Sequence, residues 1–455
     1  MSSLGLLAHA VPVTYDFPLP IWLYSLAGGV AVLASAPAAA LAIRSPGRAP
    51  WHARNLYPTL RRLRLGPIGL TLCSLLFLVA LVGGFGATSE QGHEFFENPA
   101  TVLIWVDFWI ALGVVSTLVG NVWDFVSPLN AAMRLVDRQL ARRDVAPLPY
   151  PAWLGRWPAF VLLLLWSWDE LVWAPAKEPR YLALLAVVYF LFTLIAGAVF
   201  GAEAWLDNGE LFTVVARTLS RFAPVGLVPA SPEEWLGRPP EERVVRLRMY
   251  GSGLRTGPPL QAGSAAFVIG LLGTVIFDGF SRTAKYGQIF GNPKESRDTL
   301  VMLGVVGLLG LAYVCICALL REEGGVVATT RRYAPTLIPI AGVYFIAHYL
   351  TYLLIIGQQT LGVVVDPFGK SWNPGGLGEY NLWKGIAPAG AVWWIEVLLI
   401  VWGHVAAIVA AHRIALQTHP GRTRVLVAQS PLVLLMVAYT MAGLWVLAHL
   451  LNANS

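Results

Sequence analysis

The sequence predicts an all-α integral membrane protein, a polytopic bundle of about ten transmembrane helices. Three observations carry this. Of the 455 residues, 56% are apolar and only 13% charged, about half the charge of an average globular chain. Mean hydropathy is +0.62. Apolar runs of about 20 residues recur along nearly the whole length, each able to cross a hydrocarbon core about 30 Å thick.

Ten spans follow from those runs: 21–43, 67–88, 100–122, 157–175, 181–201, 264–283, 299–320, 335–361, 387–412 and 426–449. The alternate loops 44–66, 123–156, 202–263, 321–334 and 413–425 hold 24 of the 32 lysines and arginines. Basic residues stay cytoplasmic, so these loops are expected inside and both termini outside, in a bacterial plasma membrane. The chain reads as one transmembrane domain, 1–455, with an inner-side insertion at 202–263. A net charge of +6 then reports orientation and gives no reason to expect a nucleic-acid partner. The expected partners are the lipid bilayer, a small-molecule substrate and other subunits of a membrane complex. Cys73, Cys315 and Cys317 fall inside apolar runs and have neither disulfide nor zinc spacing.

Between the spans, 127–143 carries Leu129, Met133, Val136 and Leu140 on one helical face and Arg134, Arg138 and Arg142 on another. That pattern predicts an interfacial helix with its arginines toward lipid phosphates. Residues 207–222 predict a second amphipathic helix, with Asn208 as its cap. Residues 244–250 alternate enough for a short strand, and the proline-rich run 223–240 reads as a linker. The outer loop 362–386 reads as an ordered cap. Trp372, Trp383, Trp393 and Trp394 are expected in an aromatic belt at the interface.

Ionisable side chains inside the spans are costly. At about 1.5 Å per residue, Asp107, Asp169, Glu170, Asp278 and Glu396 all fall in the outer half. His348, within YFIAHYLTYLLIIGQQ, and His404 fall at similar middle depth. Glu396 and His404, eight residues apart, share a helix face. A polar chamber in the outer half would account for all of them. Read singly, His348 and His404 are interhelical hydrogen-bonding groups, and Asp278 pairs with Arg282 at i+4. His412 and His449 are placed at the two membrane interfaces, and His9, His52, His93 and His419 outside the spans.

Three chemistries suit such a chamber. His348, His404 and Glu396 are candidate ligands for a divalent metal that activates water, with Asp278 and Glu396 as the catalytic carboxylates. The same carboxylates and histidines suit a proton or cation relay in a transporter of a small solute or metal. Two histidines on different helices suit haem b ligation, the weaker cofactor expectation, in an accessory subunit of a larger complex. HExxH, CxxC, P-loop, GxSxG and GxGxxG motifs are all absent from the sequence.

Several segments resemble a known family: GNVWDFVSP at 120–128, GAEAWLDNGELF at 201–212, VIFDGFSRT at 275–283, YAPTLIPIAGVYFIAHYLTYLLIIGQ at 333–358, VDPFGKSW at 365–372 and GHVAAIVAAHR at 403–413. They resemble the bacterial polytopic membrane family of fenitrothion hydrolase, over about residues 15–450. The resemblance implies a cell-membrane protein that hydrolyses an organophosphate triester. The chain departs from the family pattern at Ser127-Pro128-Leu129, in place of Asn-Pro-Trp, and at His9-Ala10, in place of His-Gly.

Overall fold

In the computed structural model, which describes residues 17–44, 54–86, 98–256, 260, 262–320, 322–377, 382–419 and 422–451, the apolar runs are α-helices. We number the principal helices α1 Ile21–Ala42, α2 Leu65–Gly86, α3 Pro99–Leu118, α4 Pro128–Ala141, α5 Trp157–Leu171, α6 Pro179–Phe200, α7 Ala202–Asn208, α8 Leu211–Leu219, α9 Ser264–Ser281, α10 Glu295–Leu319, α11 Leu337–Ile355, α12 Ala389–Thr418 and α13 Arg422–Leu451. Among the described residues nine helices are long and apolar enough to cross a membrane. The expected tenth, α5, has only 15 residues, about 22 Å, and gives way to a 3₁₀ turn at Ala174–Lys177.

Helices α3, α9 and α11 are the most buried and form the centre, whereas α2, α6 and α10 lie at the rim. Helix α11 packs on α12 and α9, and α13 joins α1 to α12. Close approach of α11 and α12 depends on Gly403, where an added Cβ would lie 2.3 Å from Val343 and 3.0 Å from the Pro339 carbonyl. Small residues serve this purpose where lipid gives helices no hydrophobic drive to associate.

The loops gather at two ends. At the basic end, strand β1 (Val225–Val228) pairs antiparallel with β2 (Val244–Leu247), Val225 opposite Leu247. The proline-rich run is therefore half of a hairpin and not a plain linker. Asn55 ties β2 to the start of α2, accepting from the Val245 N–H at 3.0 Å and donating to the Arg243 carbonyl at 3.0 Å. At the far end, Asp366 accepts from the Lys370 and Trp372 N–H groups at 2.9 and 3.1 Å. This orders the first part of the expected cap. Pro367 and Phe368 then rest on Gly83 and Gly86 of α2.

Helix α4 forms where expected, with Ser127 accepting from the Asn130 N–H as its cap. The second expected amphipathic helix departs from its reading. Asn208 lies inside α7, and Glu210 caps α8 by accepting from the Phe212 and Thr213 N–H groups. Every residue of α8 is buried. Gly201, with φ of +87°, turns the chain back after α6. Phe212 then reaches Trp109 of α3 and Trp166 of α5, with ring centroids 6.2 and 5.0 Å away. Helices α7 and α8 form a re-entrant hairpin within the bundle and not a surface helix. Such backbone is tolerated at membrane depth only when protein surrounds it.

Trp393 also departs from the expected belt. It is 0% exposed and packs edge-on against Phe17 and Tyr24, while Trp372, Trp383 and Trp394 stay exposed. His412, expected at the interface, is fully buried between Gln429 and the Ile43 carbonyl. His9, His52 and His93 lie outside the described residues.

Candidate functional site

The expected chamber is divided into three places. The first centres on Asp278, near the far end of α9 and 1% exposed. Its Oδ1 accepts from Arg282 Nε at 2.7 Å, one helical turn on. Its Oδ2 accepts from His348 Nε2 at 2.8 Å and from the Tyr349 hydroxyl at 3.1 Å. Arg282 Nη1 donates to the Tyr352 hydroxyl at 2.6 Å. Beside an ionised carboxylate held by a guanidinium, Nε2 of His348 is the nitrogen that donates. Nδ1 has no partner among the described residues. A cavity of about 40 Å³, bounded by Glu170, Lys177, Arg282, Tyr349 and Tyr352, adjoins the group. It has room for about three waters. The i+4 pair Asp278–Arg282 is thus present, and it is joined to His348 by contacts the sequence could not place.

The second place is on α12. His404 Nδ1 hydrogen-bonds the Ile400 carbonyl of its own helix at 2.8 Å. His404 Nε2 and Glu396 Oε2 are buried without partners among the described residues. Tyr344 of α11, whose hydroxyl is also unpartnered, stacks over His348 at 6.4 Å.

The expected ligand set His348, His404 and Glu396 is not assembled. Among the described residues no group of three or more His, Cys, Asp or Glu side chains is placed to hold a metal ion. His348 has its Nε2 on Asp278, so only its Nδ1 is open, and no His404 or Glu396 atom is grouped with it among the described residues. Haem b fits no better. The two imidazoles do not share a free pair of Nε2 atoms, and the contact of Gly403 with Val343 leaves no slot for a macrocycle between α11 and α12.

The third place is a cavity of about 580 Å³ between α2, α3, α5 and α6. Its wall is almost wholly apolar and aromatic, and the hairpin tip, Leu211 and Phe212, forms part of it. Asp107 and Asp169 are its two carboxylates. Asp107 accepts from the Thr360 hydroxyl at 2.7 Å. Asp169 is 5% exposed; its Oδ1 accepts from the Tyr181 hydroxyl at 2.7 Å and its Oδ2 has no partner among the described residues. The α3 wall is unusual in backbone. Val102–Ile110, which carries Asp107, is π-helical, a form that is rare and concentrated at functional sites.

The hairpin is anchored below this cavity by Arg134, Arg156 and Arg217 together with Asp124, Glu203 and Asp207. Arg217 grips Asp124 with two bonds of 2.9 Å and reaches Glu203 at 3.0 Å. Arg134 holds Glu203 at 2.6 Å and Asp124 at 3.2 Å. Arg156 donates to the Asp207 carbonyl and the Thr218 hydroxyl, each at 3.0 Å. Arg134, expected to face lipid phosphate, therefore faces inward. Burial alone would raise the Asp124 carboxyl, but Arg217 and then Arg134 outweigh it and hold the group below its ordinary value.

No family model, curated protein or solved structure matches the chain. The anchor and the cavity wall were missed in the sequence, although a signal existed. Asp124, Glu203, Asp207 and Glu210 all stand in the segments GNVWDFVSP and GAEAWLDNGELF, where acids interrupt otherwise apolar sequence.

Proposed function

We infer that this multi-pass membrane protein is a carrier for a small, membrane-dissolved molecule, bound in the cavity between α2, α3, α5 and α6. The cavity carries the reading. Its volume of about 580 Å³ is in the range of small-molecule sites, and such sites pair apolar walls with a few polar groups. Val161 and Leu165 belong to the exposed, lipid-facing stripe of α5, and Leu165 also lines the cavity. A solute could then enter sideways from the bilayer. The re-entrant hairpin and the π-helical wall are irregular elements of the kind that transporters place at their sites. The charge asymmetry supports an orientation with the basic end in the cytoplasm and, with the short α5 and its 3₁₀ turn counted as a tenth crossing, both termini outside, as in a bacterial plasma membrane.

Proteoliposomes test the carrier. An alkyl probe with a nitrobenzoxadiazole label is followed by dithionite bleaching. Wild type should speed its transbilayer movement over protein-free vesicles, and Leu185→Trp, which fills the cavity, should abolish the gain. Equal rates for the two proteins would end this reading.

Hydrolysis of an apolar ester, which the family resemblance implies, is the second reading. The Asp278–His348 pair favours it, since a carboxylate holds one imidazole nitrogen and the other is unpartnered, the arrangement of a general base. Turnover of a phosphotriester panel that is lost in His348→Gln would support it; no turnover by folded wild-type protein would remove it.

A further inference from the structure

The cavity carries more than a preference for apolar ligands. Among the described residues its two carboxylates have only neutral hydroxyl donors, Thr360 for Asp107 and Tyr181 for Asp169. No ion pair to either occurs among the described residues. The second oxygen of Asp169 is buried and unpartnered, in a wall where burial of a lone charge is strongly disfavoured. The buried Asp124 and Asp278 are each met by arginine; among the described residues Asp107 and Asp169 are not, and they are the two acids that face this cavity.

The rest of the wall supplies what a cation needs. Phe108, Trp123, Trp166, Trp168, Tyr181 and Phe212 all line it. Tyr181 is bonded to Asp169 itself, which puts a ring and a carboxylate side by side. Aromatic faces attract ammonium groups, more strongly where water is excluded. No lysine or arginine lines the cavity. An anionic ligand would meet two carboxylates and no counter-charge.

We propose that the cavity is a site for a lipophilic organic cation, an alkyl- or arylammonium compound. Its charge would sit by Asp169 and the Tyr181 ring, with Asp107 as the second carboxylate of the same wall, and its apolar body would lie along α2, α3 and α6. This rests on reading the cavity as the substrate site, and it adds the chemical class.

The test uses the full chain in nanodiscs and three probes with the same chain: dodecyltrimethylammonium, dodecanol and dodecyl sulfate. Quenching of tryptophan fluorescence reports binding, since Trp123, Trp166 and Trp168 line the cavity. The ammonium probe should bind saturably and more tightly than the alcohol, with the sulfate weakest. Asp169→Asn should weaken the ammonium probe by about 10- to 100-fold, the size of one charge-assisted contact, and leave the alcohol unchanged. Should Asp169→Asn fail to fold, Asp107→Asn carries the same expectation. Equal binding of ammonium and alcohol, unchanged by either substitution, would overturn the cation and leave the cavity reading standing. Binding of all three that survives Leu185→Trp would overturn both.

Discussion

At the scale of single residues, two buried carboxylates with opposite surroundings make opposite predictions. Asp278 holds Arg282, His348 and Tyr349 at once. Replacing it by asparagine takes from the Arg282 guanidinium the carboxylate that pairs with it, and removing one partner of a largely buried pair costs up to about 3–5 kcal/mol. Glu396 is 4% exposed and its Oε2 has no partner. Replacing it by glutamine removes a buried ionisable group and keeps the shape, so it should cost little or stabilise. Melting of the purified proteins in one detergent decides this: Asp278→Asn should melt far below wild type and Glu396→Gln at or above it. The reverse order would mean that the roles have been exchanged. The sequence made Asp278–Arg282 legible, because i+4 spacing on one helix needs no tertiary knowledge. It misplaced the partner of His348. Depth along a helix is readable from the chain, but the direction a ring faces is set by packing between helices.

At the scale of elements, the re-entrant hairpin depends on Asp124, Arg134, Glu203 and Arg217, which lie on four different segments. The folded value of Asp124 lies below its unfolded value of about 3.9. Its stabilisation is therefore full above that value and is lost as pH falls through the folded value. Wild-type stability should decline as pH is lowered from about 5 to about 3, whereas Asp124→Asn should lack that part of the decline and be less stable at neutral pH. Parallel pH profiles for the two proteins would show that Asp124 is not the group concerned. The membrane helices were legible as elements because length and apolarity alone specify them. The hairpin was not. An amphipathic pattern says that one face is polar; it does not say whether that face meets water or, as here, a buried ring of opposite charges. Helix α5 was over-read for a related reason, since apolar residues after Leu171 continue the run while the turn at Ala174–Lys177 ends the helix.

At the scale of the whole molecule, the two ends differ in charge and in construction. The basic end carries the β-hairpin and the anchored re-entrant segment; the far end carries the Asp366 cap and the approach to Arg282. If the basic end is cytoplasmic, the small cavity beside Asp278 faces the outside, and the anchor that holds the wall of the large cavity faces the cytoplasm. Single cysteines test this in a background where Cys73, Cys315 and Cys317 are replaced by alanine. Lys370 is exposed at the far end and Leu148 is exposed at the basic end. In intact cells a membrane-impermeant maleimide should label Lys370→Cys directly and Leu148→Cys only after permeabilisation. The opposite pattern would invert the molecule and put the positive charge outside, against the rule that orients short loops. It would also turn the end that carries Asp278 and Arg282 toward the cytoplasm.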